Sequence, residues 1–202
     1  MNKLVKLPLF LAVAALIAGA TLATVNYFTL PIIERREQMA LDAGYLELLE
    51  IDESKFTTLN RVPETGTIVA ESELSAKGII DYVMYENKSD DSLFGIVYNG
   101  SVSGHNSDPS SPIVFQVGFK DGVFAGYNNV SNKETPSYGG IYLNGLDEVI
   151  KGISANDETA FQTALNLYKS DNSLRVTNTE RNLVPALWSA ASHYVSLLED
   201  NS

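Results

Sequence analysis

Residues 113–127, IVFQVGFKDGVFAGY, decide the fold. The dipeptide Asp121-Gly122 lies between two apolar runs of strand composition. Both central positions of a type I′ turn require a positive φ, which Asp and Gly tolerate better than other residues. The stretch therefore predicts a tight β-hairpin that turns at Asp121-Gly122.

A polar loop, residues 132–140 with the sequence NKETPSYGG, follows the second arm of this hairpin. Pro136 fixes one backbone dihedral, and the pair Gly139-Gly140 lets the main chain approach another group closely. The loop predicts a cradle for a flat or polar ligand.

The rest of the middle of the chain has the pattern of a sheet. Short β-branched and aromatic runs alternate with clusters of Asn, Asp, Gly, Ser and Pro, which is typical of antiparallel strands. The runs are residues 67–70, 78–85, 93–98 and 113–117. We expect residues 99–112 to be a surface loop and residues 51–61 to be a loop with a helical turn.

Helical periodicity returns after the polar loop. We expect helices over residues 146–153 and 159–168, the second capped by the polar residues 156–158, and a closing helix over 181–198 with Pro185 near its start. The fold class that follows is α+β, a mostly antiparallel sheet with flanking helices.

An uncharged stretch opens the chain. Between Lys6 and Glu34 lie 27 uncharged residues, and about 20 helical residues suffice to cross the hydrocarbon layer of a membrane. We expect an N-terminal transmembrane helix over residues 7–33. A cleavable signal peptide is the alternative, because Ala18-Gly19-Ala20 resembles a cleavage site.

Orientation follows from the flanking charges. Lys3 and Lys6 favour a cytoplasmic N-terminus, whereas Arg35 and Arg36 oppose it. The expected organisation is a cytoplasmic head (residues 1–6), a single-pass anchor in the plasma membrane (7–33), a juxtamembrane helix and linker (34–62) and an extracytoplasmic domain (63–200).

Composition excludes several kinds of chemistry. Without cysteine the chain can form no disulfide, thiolate metal site or thiol nucleophile. Two histidines are too few for a histidine metal site, and no nucleophile–histidine–acid pattern is evident. A net charge of −11 disfavours nucleic acid as a partner. We expect no metal, no stand-alone catalytic residue and no nucleic acid.

Residues 130–140, preceded by a Lys-Asp-Gly turn and followed by 146–152, resemble the E-T-P-G-x-G segment of FMN-binding domains. These domains belong to the flavin subunits of Rnf and Nqr electron-transport complexes (RnfG and NqrC). The resemblance implies a membrane-anchored extracytoplasmic subunit of an Rnf-like ion-translocating redox complex, which transfers electrons through FMN beside other subunits.

The resemblance also covers residues 171–179. The family pattern there is D-x-x-S-G-A-T-x-T/S, in which a threonine carries FMN through a phosphoester. Asp171 takes the aspartate place, Thr177 the acceptor place and Thr179 that of the following hydroxyl. Residues 174–176, Leu-Arg-Val, stand where the family has Ser-Gly-Ala, so a degenerate attachment motif is implied.

Three states of the site remain open: FMN attached covalently at Thr177, FMN held noncovalently, and no flavin. In the last state the protein is a flavin-free relative that acts as an extracytoplasmic binding or assembly module. The candidate cofactor-binding residues are Glu134, Thr135, Pro136, Tyr138, Gly139, Gly140, Arg175, Thr177 and Thr179.

Overall fold

The computed structural model describes residues 15, 16, 18, 19, 21, 44–51, 56–61, 74–90, 92–105 and 112–200. The chain divides into two compact units, Met1–Ala43 and Gly44–Ser202. The five described residues of the first unit are helical. The rest of the expected anchor and the expected strand over 67–70 lie outside the described residues. Within the described part, no helix combines the length and the apolar character needed to cross a membrane.

The second unit contains one antiparallel sheet in the order β1-β2-β3-β4-β5. The strands are β1 Phe56–Arg61, β2 Ile79–Asn87, β3 Leu93–Ser103, β4 Pro112–Lys120 and β5 Val123–Ser131. Three helices follow: α1 Ile141–Ile150, α2 Glu158–Asp171 and α3 Thr177–Asp200. The expected α+β class, with an antiparallel sheet and flanking helices, is confirmed.

The hairpin prediction is also confirmed. Lys120 of β4 pairs with Val123 of β5, so the turn has two residues. Asp121 and Gly122 have φ values of 53° and 79°, as the type I′ geometry requires.

Two predicted loops are strands. Phe56–Arg61 pairs with β2 along its whole length, and residues 99–103 continue β3 opposite 112–116 of β4. Ladder hydrogen bonds to a neighbouring strand outweigh the weak strand propensity of Asn, Gly and Ser in these segments.

Helices α1 and α3 both begin earlier than predicted. Helix α1 starts at Ile141 rather than 146, directly after a π-helical turn over Pro136–Gly140. Helix α3 starts at Thr177 rather than 181, so Pro185 lies inside the helix. The expected cap of α2 is confirmed, because the Asp157 side chain accepts from the N–H of Ala160 at 2.8 Å.

The sheet has two different faces. The inner face packs against α1 and α3 and carries an aromatic core that includes Tyr98, Phe115, Phe119 and Phe124, all fully buried. On the outer face, Gly118 leaves room for Leu48 and Leu49 of the helical residues 44–49. Strand alternation places these two sets of residues on opposite sides.

Candidate functional site

Glu134 joins three segments that are distant in sequence. Its Oε2 accepts a hydrogen bond from Oγ1 of Thr179 at 2.9 Å, and its Oε1 accepts from the backbone N–H of His105 at 2.6 Å. The polar loop, the end of β3 and the first turn of α3 thus meet at one carboxylate. We call this set of contacts the Glu134 clasp.

Two glycines make room for the clasp. A Cβ at Gly104 would collide with Oε1 of Glu134, and a Cβ at Gly139 would collide with Oε2. The close approach expected at Gly139 is therefore made by a side chain of the protein itself.

Two asparagines of α3 add to the connection with β3. Asn182 Nδ2 donates to the carbonyl of Ser103 at 2.8 Å, and Asn178 Nδ2 donates to the carbonyl of His105 at 3.4 Å. The first two turns of α3 are thereby fixed against the end of β3, on either side of the buried Thr179.

The polar loop is closed by its own backbone. The carbonyl of Thr135 accepts from the N–H groups of Tyr138 and Gly140, both at 3.0 Å. The Gly140 N–H, expected as a donor to a ligand, is therefore already engaged. Thr135, Pro136 and Tyr138 face solvent, with Tyr138 54% exposed.

The acceptor candidate Thr177 is exposed at the first residue of α3, after exposed Arg175 and buried Val176. It borders an open cleft of about 550 Å³. Lys169 in the same cleft forms a 2.5 Å ion pair with Glu180 of α3. The lining residues are Lys169, Ser170, Ser173, Leu174, Arg175, Val176, Thr177 and Glu180.

The segment 174–176 does not use the backbone freedom of glycine. The positive φ in this region belongs to Ser173, at 53°, and Arg175 does not adopt one. Leu174 packs against the core and Val176 is buried within it. The Leu-Arg-Val sequence thus fits an ordinary backbone, and its two apolar side chains fix the segment while the guanidinium of Arg175 remains outside.

Two tyrosines that flank the polar loop in the chain are buried in the core. The hydroxyls of Tyr127 and Tyr142 have no hydrogen-bond partner among the described residues. Burial raises the pKa of Tyr142, and the nearby Glu180 carboxylate raises it further. The protonated form of Tyr142 is therefore favoured in the core near Glu180 of α3.

The predicted site residues form two groups. Glu134, Gly139 and Thr179 meet in the clasp, whereas Arg175 and Thr177 line the neighbouring cleft. Sequence reasoning missed Gly104, the His105 amide, Lys169, Asn178 and Asn182. Contacts of α3 with the end of β3 and with Lys169 of α2 bring these groups in, and no local pattern indicates them.

Among the described residues no group of three or more His, Asp or Glu side chains could hold a metal ion. No protein-family model matches the chain, and a comparison with curated proteins finds no relative.

Proposed function

We propose that this chain is a membrane-anchored, extracytoplasmic flavin carrier that transfers electrons through FMN within an Rnf-like redox complex. The observation that supports it most directly is the 2.9 Å hydrogen bond between Glu134 and Thr179. It joins the two segments that resemble the FMN-binding family, although 45 positions separate them in the chain.

The residues at the start of α3 suit a phosphate group. A 24-residue helix presents unpaired backbone N–H groups and the positive end of its dipole at its first turn. The Thr177 hydroxyl and the Arg175 guanidinium are exposed there, and Lys169, paired with Glu180, lines the same cleft. These groups would hold the phosphate of FMN, either as an ester on Thr177 or noncovalently.

The bound isoalloxazine ring would supply the redox chemistry, and the protein would supply orientation and electrostatics. Glu134 would be a positioning residue, because its hydrogen bond with Thr179 fixes the helix turn that carries Thr177. Exposed Tyr138 offers an aromatic surface beside the clasp. The membrane anchor and the neighbouring subunits belong to this proposal as well.

The clasp also supports a second candidate, a flavin-free binding or assembly module. Both carboxylate oxygens of Glu134 and the N–H of Gly140 are engaged within the protein. A loop that satisfies its own polar groups requires no ligand to be stable.

Intact-mass spectrometry and visible absorption of the full chain, coexpressed with a flavin transferase, separate these candidates. Covalent carriage predicts a mass increase of one FMN that is lost in Thr177→Ala and kept in Thr179→Ser. Noncovalent carriage predicts flavin colour that disappears on denaturation. A colourless protein that also fails to bind added FMN would refute the carrier proposal and leave the flavin-free module.

The positioning role of Glu134 has its own readout. We expect Glu134→Ala to accelerate hydrogen exchange in the first turns of α3 and to reduce flavin loading, while Glu134→Gln, which keeps one acceptor, is intermediate. Equal exchange rates in the three proteins would exclude this role.

A further inference from the structure

A second cleft beside α3 has an unusual charge. It measures about 320 Å³ and contains Lys77 from the turn before β2 and Arg181 from α3. Among the residues that the structure describes, no acidic side chain lines it. The lining residues are Ala76, Lys77, Gly78, Ser101, Val102, Ser103, Arg181, Asn182 and Pro185.

Hydrogen bonds and close contacts fix the backbone around this cleft, which we call the cationic cleft. Gly78 adopts φ of 94°, and its carbonyl accepts from the N–H of Ser101 at 2.8 Å. A Cβ at Gly78 would come within 2.6 Å of the Ser101 carbonyl oxygen. Asn182 holds the α3 side through its bond to the Ser103 carbonyl. These contacts fix the backbone that carries both cations.

The charge of the cleft contrasts with that of the whole chain. The protein has 25 acidic and 14 basic side chains, yet neither Lys77 nor Arg181 forms an ion pair with a described carboxylate. Two cations that pair with none of the described carboxylates create a local positive potential on an acidic protein. An anion would neutralise it at little cost in desolvation, because both side chains are exposed.

We propose that the cationic cleft binds a phosphate-type oxyanion. Arg181 offers a planar fork of N–H donors and Lys77 a second charge, and the hydroxyls of Ser101 and Ser103 lie in the same lining. This site shares no lining residue with the cleft at Thr177, so it does not depend on the flavin proposal.

The test is calorimetric titration of the full chain, in a nonionic detergent, with inorganic phosphate at constant ionic strength. We expect saturable binding that weakens by about tenfold or more in Arg181→Gln and in Lys77→Gln, since each removes one charge-assisted contact. Lys88→Gln, the same change of charge at the β2–β3 turn, should bind as the parent does. Unfolding temperatures show that each variant is folded.

Two vesicle arms identify the source of the phosphate. Binding to phosphatidylglycerol vesicles and not to phosphatidylcholine, dependent on Arg181 and Lys77, would indicate an anionic lipid headgroup. Phosphate binding without vesicle binding would indicate a soluble phosphate compound. Absence of saturable phosphate binding, or equal loss in Lys88→Gln, would refute the site.

Discussion

The two faces of the sheet are packed in opposite ways. The inner face fills the space toward the helices with large rings, as when Phe119 lies 4.7 Å from Phe124 and 5.2 Å from Tyr194 between ring centroids. On the outer face, Gly95 and Gly118 have no side chain, so the helical residues 44–49 lie close to the backbone of the sheet. Large aromatic side chains therefore stabilise the inner face, and the absence of side chains at these two glycines of the outer face permits the contact with residues 44–49.

Polar side chains sharpen the contrast. On the outer face Asp81, Asn99, Gln116 and Asn128 are successive register partners across four strands. Asn99 donates to Asp81, and Asn128 donates to Gln116 at 2.9 Å. The inner face has instead the buried pair of the Tyr98 hydroxyl and Nδ1 of His193, at 2.8 Å.

The largest effect is expected for Phe119→Ala on the inner face. Phe119 is fully buried and contacts three other rings, so its truncation should lower the free energy of unfolding by about 3–5 kcal/mol. Denaturant unfolding of the full chain measures this loss, and Phe119→Leu should lose clearly less. A cost below about 1 kcal/mol would show that the inner face is not closely packed.

Alkaline pH should have the next largest effect on stability, through tyrosines buried in the core that the inner face forms with the helices. Burial raises the pKa values of Tyr98, Tyr127 and Tyr142, whereas an unfolded tyrosine ionises near pH ~10. The stability that these groups contribute is complete below that pH and is lost as the pH rises above it.

Tyrosinate absorbance and circular dichroism, followed together during an alkaline titration, check this prediction. The buried tyrosines should ionise together with loss of structure. Ionisation of all tyrosines near the ordinary value, with the fold intact, would contradict it.

On the outer face, Gly95→Ala tests the opposite mode of packing. A Cβ there would lie 2.8 Å from the Phe119 carbonyl oxygen and 3.2 Å from Cδ2 of Leu49. The backbone oxygen cannot rotate away, so we expect a loss of about 1–3 kcal/mol. Gly140→Ala is the control, because its nearest contact is an ordinary 3.5 Å. Equal unfolding midpoints would show that the outer face has room to spare.

The smallest effect is expected for the ion pair at the edge of the outer face. Lys151 Nζ lies 2.9 Å from Oε1 of Glu50, and both groups are exposed. The hydrogen bond from Lys151 lowers the pKa of Glu50, so the contribution is present at neutral pH and is lost as the pH falls through that lowered pKa. Lys151→Gln should therefore lower stability slightly at neutral pH and leave stability in acid unchanged, because below the lowered pKa of Glu50 the ion pair is absent from both proteins. A large loss at neutral pH would be unexpected.

Local chemistry explains what could be predicted of the fold. Asp121-Gly122 specified its turn because two adjacent residues tolerate positive φ, and Asp157 specified its helix cap because the bond spans three residues. The α+β class followed from periodicity alone. Residues 56–61 and 99–103 were missed because their strand state depends on partners elsewhere in the chain.

For the candidate site, the sequence predicted which residues take part but not what each of them contacts. The resemblance pointed to Glu134, Thr177 and Thr179, and Arg175 was a candidate although it stands where the family has glycine. It did not indicate that Glu134 would bind the His105 amide, or that Gly139 serves that same carboxylate. The His105 contact joins positions 29 apart in the chain, and the Gly139 contact depends on how the polar loop folds around Glu134.

What the sequence by itself determined is therefore whatever a few neighbouring residues decide through their own dihedrals, polarity and charge: the hairpin, the capped helix, the fold class and the acidic surface. Only the tertiary structure decided that a carboxylate of the polar loop holds the start of the last helix, and that Lys77 and Arg181 line one cleft with no acid among its described lining residues. Such arrangements depend on the packing of the whole sheet, because each partner is brought into place by strand pairing that no short segment encodes.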